Sequence, residues 1–255
     1  MQILFLHPSI DLFTPAYGVL PVGAFSICSE LKKAGHQISI VNIGLELLLN
    51  PLFQLSDYLQ NFKPEAVLLE LHWYVHAKGA MALASEIKRW NPNIPIIIGG
   101  ITASIFAQEI LTDFPAIDFL ISGDGEIPIV RFFEELKGQQ HFETVPNLWW
   151  KDPSPRFSEA SSIPTDLNHF TFNDYTLLHH WKEYTAVAKV PLIRHQPKRV
   201  RDFWLCNGRG CVFKCDFCGG GKEAQQSVFG RGAIQQRSVE NLFQDIMPLY
   251  TEAEV

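Results

Sequence analysis

Apolar residues in the first half of the chain follow two alternating rhythms. Short continuous runs recur at Ile3–Leu6, Ile38–Val41, Ala66–Leu71, Ile94–Ile98 and Ile117–Ile121. Runs of that length, bounded by Gly, Pro or polar residues, predict buried strands. Between them apolar positions return every three or four residues: Leu20, Ala24, Ile27 and Leu31; Leu52 to Phe62; Ala80, Leu83, Ala84 and Ile87 within His76–Trp90; Ile105 to Leu111; and Glu126 through Leu136. This spacing predicts helices, with Gly35 placed to cap the first and Lys63-Pro64 to stop the second. Five strands, each followed by a helix, predict a parallel sheet covered on both faces. Right-handed crossovers make it doubly wound. The expected fold class is α/β, with a doubly wound, parallel, five-stranded, flavodoxin-like domain over residues 1–137.

Ligands of such sheets bind beyond the carboxyl ends of the strands. The candidate loops are His7–Tyr17, Leu71–Gly79, Gly99–Ser104 and Ser122–Glu126. In the fourth-strand loop, Gly99-Gly100 lets a bulky flat ligand approach the backbone. Thr102 and Ser104 add hydroxyls near a helix start, where free N–H groups gather. No GxGxxG follows the first strand, which disfavours a dinucleotide.

Residues 138–200 change character. Pro146, Pro153, Pro155, Pro164, Pro191 and Pro197 alternate with Trp149-Trp150, Phe170, Phe172, Tyr175 and Trp181. So many aromatics exceed what a free tether carries. The segment is expected to pack across both domains, and a partly ordered linker is the alternative. A second unit is expected over 201–255, with a strand at Asp202–Cys206. A helix from Val239 to Tyr250 follows, capped by Ser238 and apolar at Leu242, Phe243 and Ile246.

The 255 residues are 47% hydrophobic and 19% charged, which suits a globular protein of one large or two ordinary domains. No apolar run approaches the ~20 residues that cross a bilayer, so a cytoplasmic protein without membrane contact is expected. The net charge of −6 is uneven: Lys189–Arg237 holds ten Lys/Arg against three Asp/Glu. A basic collar suits a site for anionic groups, a solvated face or a surface for an anionic partner.

Three of the five cysteines, Cys211, Cys215 and Cys218, stand at CxxxCxxC spacing before Gly219-Gly220-Gly221. Cys thiolates are the usual ligands of iron–sulfur clusters, and three of them leave one iron of a 4Fe–4S cube without a protein ligand. Zinc with Cys206 as fourth ligand competes, although all four thiols crowd into thirteen residues without the gap of a zinc ribbon. Unligated thiols are a third reading. Cys206 and Cys28 read as small buried hydrophobes, and a disulfide framework is disfavoured.

Arg209-Gly210-Cys211-x-x-x-Cys215-x-Phe217-Cys218 resembles the cluster loop of radical S-adenosylmethionine (SAM) enzymes. The resemblance implies a 4Fe–4S cluster on the three cysteines and SAM on the open iron. It also implies Phe217 near the adenine, a 5′-deoxyadenosyl radical, and an electron donor such as a flavodoxin or ferredoxin. The first half resembles the cobalamin-binding domains that precede radical SAM domains. The matching pieces are Pro21-Val22-Gly23, Lys33-Ala34-Gly35-His36, Gly99-Gly100-Ile101-Thr102-Ala103 and Asp118 through Glu126. This implies cobalamin beside the glycine pair, with His72, Gly99, Gly100, Thr102, Ser104, Gly123 and Glu126 as candidate contacts.

Cobalamin proteins that ligate cobalt through histidine carry DxHxxG after the first strand. His7 to Phe13 lacks it, as the radical SAM branch commonly does. His72 and His76, beside Trp73 and Tyr74, are the nearest alternatives, as ligand or as packing for the corrin edge. About fifty residues follow the connector, too few for a full α/β barrel, so only its truncated start is expected and the chain alone is expected to be inactive. Catalytic residues, substrate and a separate C-terminal half stay open. The expected function is the N-terminal portion of a cobalamin-dependent radical SAM enzyme, with methyl transfer to an unactivated carbon. The alternatives are a cobalamin-binding or sensing module and a zinc-stapled flavodoxin-like interaction protein.

Overall fold

The computed structural model describes residues 1–13, 19–187 and 203–252. The Tyr17 end of the first expected binding loop, the connector residues 188–200 and Asp202 lie outside them. The elements in chain order are β1 (Gln2–His7), α1 (Val22–Lys33), β2 (Gln37–Asn42), α2 (Ile43–Leu49), α3 (Leu55–Phe62), β3 (Ala66–Glu70), α4 (Ala77–Trp90) and β4 (Ile96–Gly99). Then come α5 (Ile101–Ile105), α6 (Ala107–Asp113), β5 (Phe119–Ile121), α7 (Glu126–Lys137), β6 (Leu148–Lys151) and β7 (Pro155–Phe157). The chain ends with α8 (Trp181–Val187), β8 (Gly208–Arg209), α9 (Lys222–Ser227), β9 (Gln235–Gln236) and α10 (Val239–Thr251), with short 3-10 turns between some of these.

The main sheet runs β2-β1-β3-β4-β5-β6-β7. Its first five strands are parallel, as expected from the five apolar runs. Their order reverses direction between β1 and β3, the switch point of a flavodoxin-like sheet. Alternate residues along each strand build two cores. Leu4, Leu6, Val67, Leu69, Ile96 and Ile98 face α3, α4 and α6, while Ile3, Phe5, Ala66, Leu68 and Ile97 face α1 and α7. Both faces are therefore covered, which is why the strands read as continuous apolar runs.

Four strands came from sequence not expected to form any: β8 and β9, which pair antiparallel as a separate ribbon, and two strands of the main sheet. The connector supplies β6, antiparallel to β5, and β7, antiparallel to β6. Farther along, Leu178 forms a parallel bridge to Ile40 of β2, and the His179 amide donates to the Ile40 carbonyl at 2.8 Å. Tyr184 of α8 is buried, and its hydroxyl accepts the Leu20 amide at 2.8 Å.

Other expectations need correction. Phe203–Cys206 is not a strand and pairs with none among the described residues. Its side chains pack instead: the Phe203 ring lies tilted against Phe25 with centroids 5.3 Å apart, and Cys206 joins Leu167, Phe170 and Phe172. The short helix expected at Ile105–Leu111 is two helices broken at Phe106. Helix α2 was not expected at all. Asn42 caps it, its side chain accepting the Leu45 amide at 3.2 Å. Among the described residues, no helix is long and apolar enough to cross a membrane.

Candidate functional site

A cavity of about 590 Å³ lies over the carboxyl ends of β1, β3, β4 and β5. Its floor is Phe5, Leu68–Glu70, Ile97–Gly100 and Ile121, and the start of α1 from Val19 to Ala24 forms one wall. The roof comes from the second unit: Trp204 to Cys206, Gly208 to Gly210, Phe229 and Arg231.

Gly100 sits where the β4 loop meets the β3 loop. Its φ of +111° and ψ of 172° belong to a region open in practice only to glycine. A Cβ there would stand 2.7 Å from both carbonyl atoms of Leu71. The absent side chain at Gly100 thus lets the β4 loop press on the β3 loop at the edge of the cavity.

Four charged residues fasten the roof. Arg209 donates to Asp124 Oδ1 at 2.9 Å and to both carboxylate oxygens of Glu126, one at 3.1 Å. Arg231 donates to the other oxygen of Asp124. Burial alone would raise the Glu126 carboxyl pKa, but the Arg209 charge and its hydrogen bonds hold it below the usual range. Burial likewise pulls the Arg209 guanidinium down, and Glu126 and Asp124 more than reverse this. The ring of Phe172, a connector residue, lies 5.3 Å from the Arg209 guanidinium and 4.9 Å from that of Arg237. Arg237 in turn donates to the Cys206 carbonyl at 3.1 Å and pairs with Asp245 of α10.

Of the residues singled out by sequence, His72, Gly99, Gly100, Gly123 and Glu126 line the cavity. Thr102 and Ser104 do not. Thr102 Oγ1 donates to the His72 carbonyl at 2.9 Å; Ser104 Oγ donates to the Gly100 carbonyl at 2.8 Å and accepts the Gly123 amide at 2.9 Å. They brace the floor loops. His76 turns away into a buried group in which His7 Nδ1 bonds Glu70 Oε2 at 2.7 Å and the His7 and His76 rings meet edge-on at 5.0 Å. Burial chiefly lowers the pKa of both His72 and His76. Sequence reasoning missed Asp124 and Arg231, and gave Arg209 only a motif position. The two carboxylates of Gly123-Asp124-Gly125-Glu126 and the basic excess of Lys189–Arg237 were the available signal.

The three-cysteine loop begins two residues after Arg209. Cys211 is half-buried, while Cys215 and Cys218 are exposed. The loop turns on itself: the Cys218 amide bonds the Cys215 carbonyl at 3.0 Å, and the Lys222 amide bonds the Phe213 carbonyl at 2.9 Å. Phe217 is 93% exposed. Positions where Cβ atoms of Gly219 and Gly220 would stand lie 3.9 Å from Ile105 and Ile101 of α5, so the glycine run rests on the helix that follows Gly99-Gly100. Cys206 is separate, a buried thiol in an apolar cluster whose pKa burial pushes up. That environment suits a packed thiol, not the fourth ligand of a zinc site. Among the described residues, the groups compact enough to share one metal ion are His7–Glu70–His76 and Glu46–His179–His180, and the three loop cysteines are not such a group.

A cavity over the carboxyl ends of the strands of a flavodoxin-like sheet is where such folds place their ligands. Residues 8–133 match the family model of the B12 binding domain. The chain is 24% identical over 251 residues to a hopanoid C-3 methylase of Methylococcus capsulatus, covering 96% of this chain and 44% of the relative. It is 23% identical over 223 residues to an anaerobic magnesium-protoporphyrin IX monomethyl ester cyclase of Synechocystis, covering 86% of this chain and 42% of the relative. The chain therefore spans less than half the length of these relatives. Its fold matches a structure of the radical SAM methyltransferase TsrM from Kitasatospora setae with cobalamin and a [4Fe-4S] cluster bound. The TM-score is 0.66 at 13% identity, over 97% of this chain and 45% of that one. It also matches the cobalamin-dependent SAM radical enzyme OxsB with aqua-cobalamin bound, at a TM-score of 0.68 and 15% identity, over 100% of this chain and 32% of that one.

Proposed function

We propose that the chain holds cobalamin in the cavity above Gly99-Gly100 and a 4Fe–4S cluster on Cys211, Cys215 and Cys218. It would do so as part of a cobalamin-dependent radical SAM enzyme that transfers a methyl group to an unactivated carbon. The observation that carries this reading is the continuity of roof and loop. The strand that closes the cavity through Arg209 runs directly into the three thiols, so a ligand in the cavity and a group on the thiols share one short segment of chain.

The residues fit both groups. Gly100 lets the β4 loop close against Leu71 beneath the cavity, and the apolar side chains of the floor suit the body of a large ligand. The thiols are the donor set of an iron–sulfur cluster, and the loop leaves them accessible. When bound, the cluster supplies an electron for cleaving SAM and cobalamin supplies the methyl group. The chain's own residues orient the two. Arg209 and Arg231 fix the roof to Asp124 and Glu126, Phe172 bridges Arg209 and Arg237, and Gly219-Gly220 seats the loop on α5. Phe217 stands exposed beside Cys218, where it is free to cover an adenine. An external electron donor of the flavodoxin or ferredoxin type and a barrel segment beyond this chain belong to the same reading.

The test is anaerobic reconstitution with iron, sulfide and hydroxocobalamin, followed by desalting, metal analysis and visible spectroscopy. About four irons and one cobalt per chain are expected. Cobalt without iron would reduce the protein to a cobalamin-binding module. Zinc in place of both would overturn the reading.

A further inference from the structure

On the β2 side of the sheet, among residues that do not line the cavity, the connector meets helix α2 through three donors. Glu46 of α2 is buried, its side chain 4% exposed. Its Oε1 lies 2.8 Å from His179 Nδ1 and 3.2 Å from His180 Nδ1. Side chains of consecutive residues ordinarily diverge. Here His180 adopts a φ of +57°, a left-handed conformation uncommon outside glycine, and both imidazoles converge on one oxygen. Their ring centroids are 4.0 Å apart. A backbone outlier that gathers donor atoms is the kind of strain that marks a functional site.

The distances suit an ion. Bonds of about 2.0–2.2 Å from zinc to nitrogen or oxygen place neighbouring ligand atoms roughly 2.8–3.6 Å apart in tetrahedral or octahedral geometry. Both separations from Glu46 Oε1 fall within that range, and the three donor atoms all lie within 4.8 Å of one another. The His179 and His180 side chains are 37% and 40% exposed, so an ion can reach the site from solvent and keep water on its open side. The buried carboxylate supplies the negative charge a cation needs, and Glu183 of α8 adds to the negative field at His179. The other compact group, His7–Glu70–His76, is closed, and its carboxylate is already occupied by His7 and by the His72 amide.

We propose that Glu46, His179 and His180 form a site for one divalent first-row transition ion of the zinc class, bound through Glu46 Oε1 and the two Nδ1 atoms. The ion replaces the hydrogen bonds that now join these atoms. It fastens the connector to α2 beside the bridge between Leu178 and Ile40.

Zinc also binds thiolates, so the test uses the full chain carrying Cys211→Ser, Cys215→Ser and Cys218→Ser. Zinc is titrated against a chromophoric chelator, and the melting temperature is recorded with and without zinc. One equivalent is expected, with a rise in melting temperature. His180→Ala, on a half-exposed ring, should weaken binding at least about tenfold and abolish the rise. Glu46→Gln should do the same where it folds, and His76→Ala should change neither. Equal affinity in the His180→Ala protein overturns the site. So does loss of the equivalent in His76→Ala, which would assign the metal to the other group.

Discussion

Arg209 and Glu126 are 83 residues apart in sequence and form a forked ion pair, with the Glu126 side chain 1% exposed and that of Arg209 16% exposed. The pair joins the first residue of α7, in the cobalamin-binding half, to the strand that leads into the cysteine loop. Removing one member of such a pair leaves a buried charge uncompensated. Arg209→Ala should therefore lower unfolding stability by roughly 3–5 kcal/mol in chemical denaturation. Replacing both residues by Met should recover much of the loss. A single-variant effect within experimental error would show that the roof is not held here.

The same pair sets an acid limit. Glu126 has a folded-state pKa below its ordinary value of 4.5. Its contribution is thus fully present above the unfolded value and is lost as pH falls through the folded one. The stability difference between the wild type and Glu126→Gln should hold steady above about pH 4.5 and shrink below it. Urea midpoints across this range read it directly, and a gap that persists unchanged into strong acid contradicts it.

Gly100→Ala meets two obstacles, the Gly-only backbone conformation and a contact at 2.7 Å with the Leu71 carbonyl. Strain of about 1–3 kcal/mol is expected from the backbone alone. Because relief requires the β3 and β4 loops to part, cobalamin retained through gel filtration should fall, as read by its visible absorption. Full retention would remove Gly100 from the floor.

Cysteine replacements should divide into two classes. Cys206 packs with Leu167, Phe170 and Phe172, so Cys206→Ala should keep the iron content of the reconstituted protein while lowering its stability slightly. Replacing Cys211, Cys215 or Cys218 by Ala should remove most of the iron without affecting stability of the iron-free chain. Iron loss in Cys206→Ala would make it a ligand.

The sheet was legible because its parallel strands are buried on both faces, and Ile96–Ile98 or Val67–Leu69 could serve as little else. Helix α2 was not, because Ile43 follows β2 without a break and its Asn42 cap is one polar residue in an apolar stretch. Trp149 and Trp150 looked like packing aromatics in a proline-rich connector; their pairing with Leu120 and Phe119 depends on contacts distant in sequence. Thr102 and Ser104 were read as ligand contacts because hydroxyls at a helix start point to that use, yet loop carbonyls and an amide claim them. Asp124, Arg209 and Arg231 show the main limit. A charge pattern announces that partners exist, but folding chooses which residues meet.

The connector touches the sheet at both ends, as β6 beside β5 and through Leu178 beside β2. A parallel sheet left bare would offer two rows of unpaired amides and carbonyls to any passing strand. Here one continuous segment occupies both rims, and the outermost strand, β7, is three residues long and begins with Pro155, which has no amide to donate. The connector is thus a guard against edge-to-edge association: loosening it exposes both rims, so damage away from the cavity and the cysteine loop should appear first as aggregation.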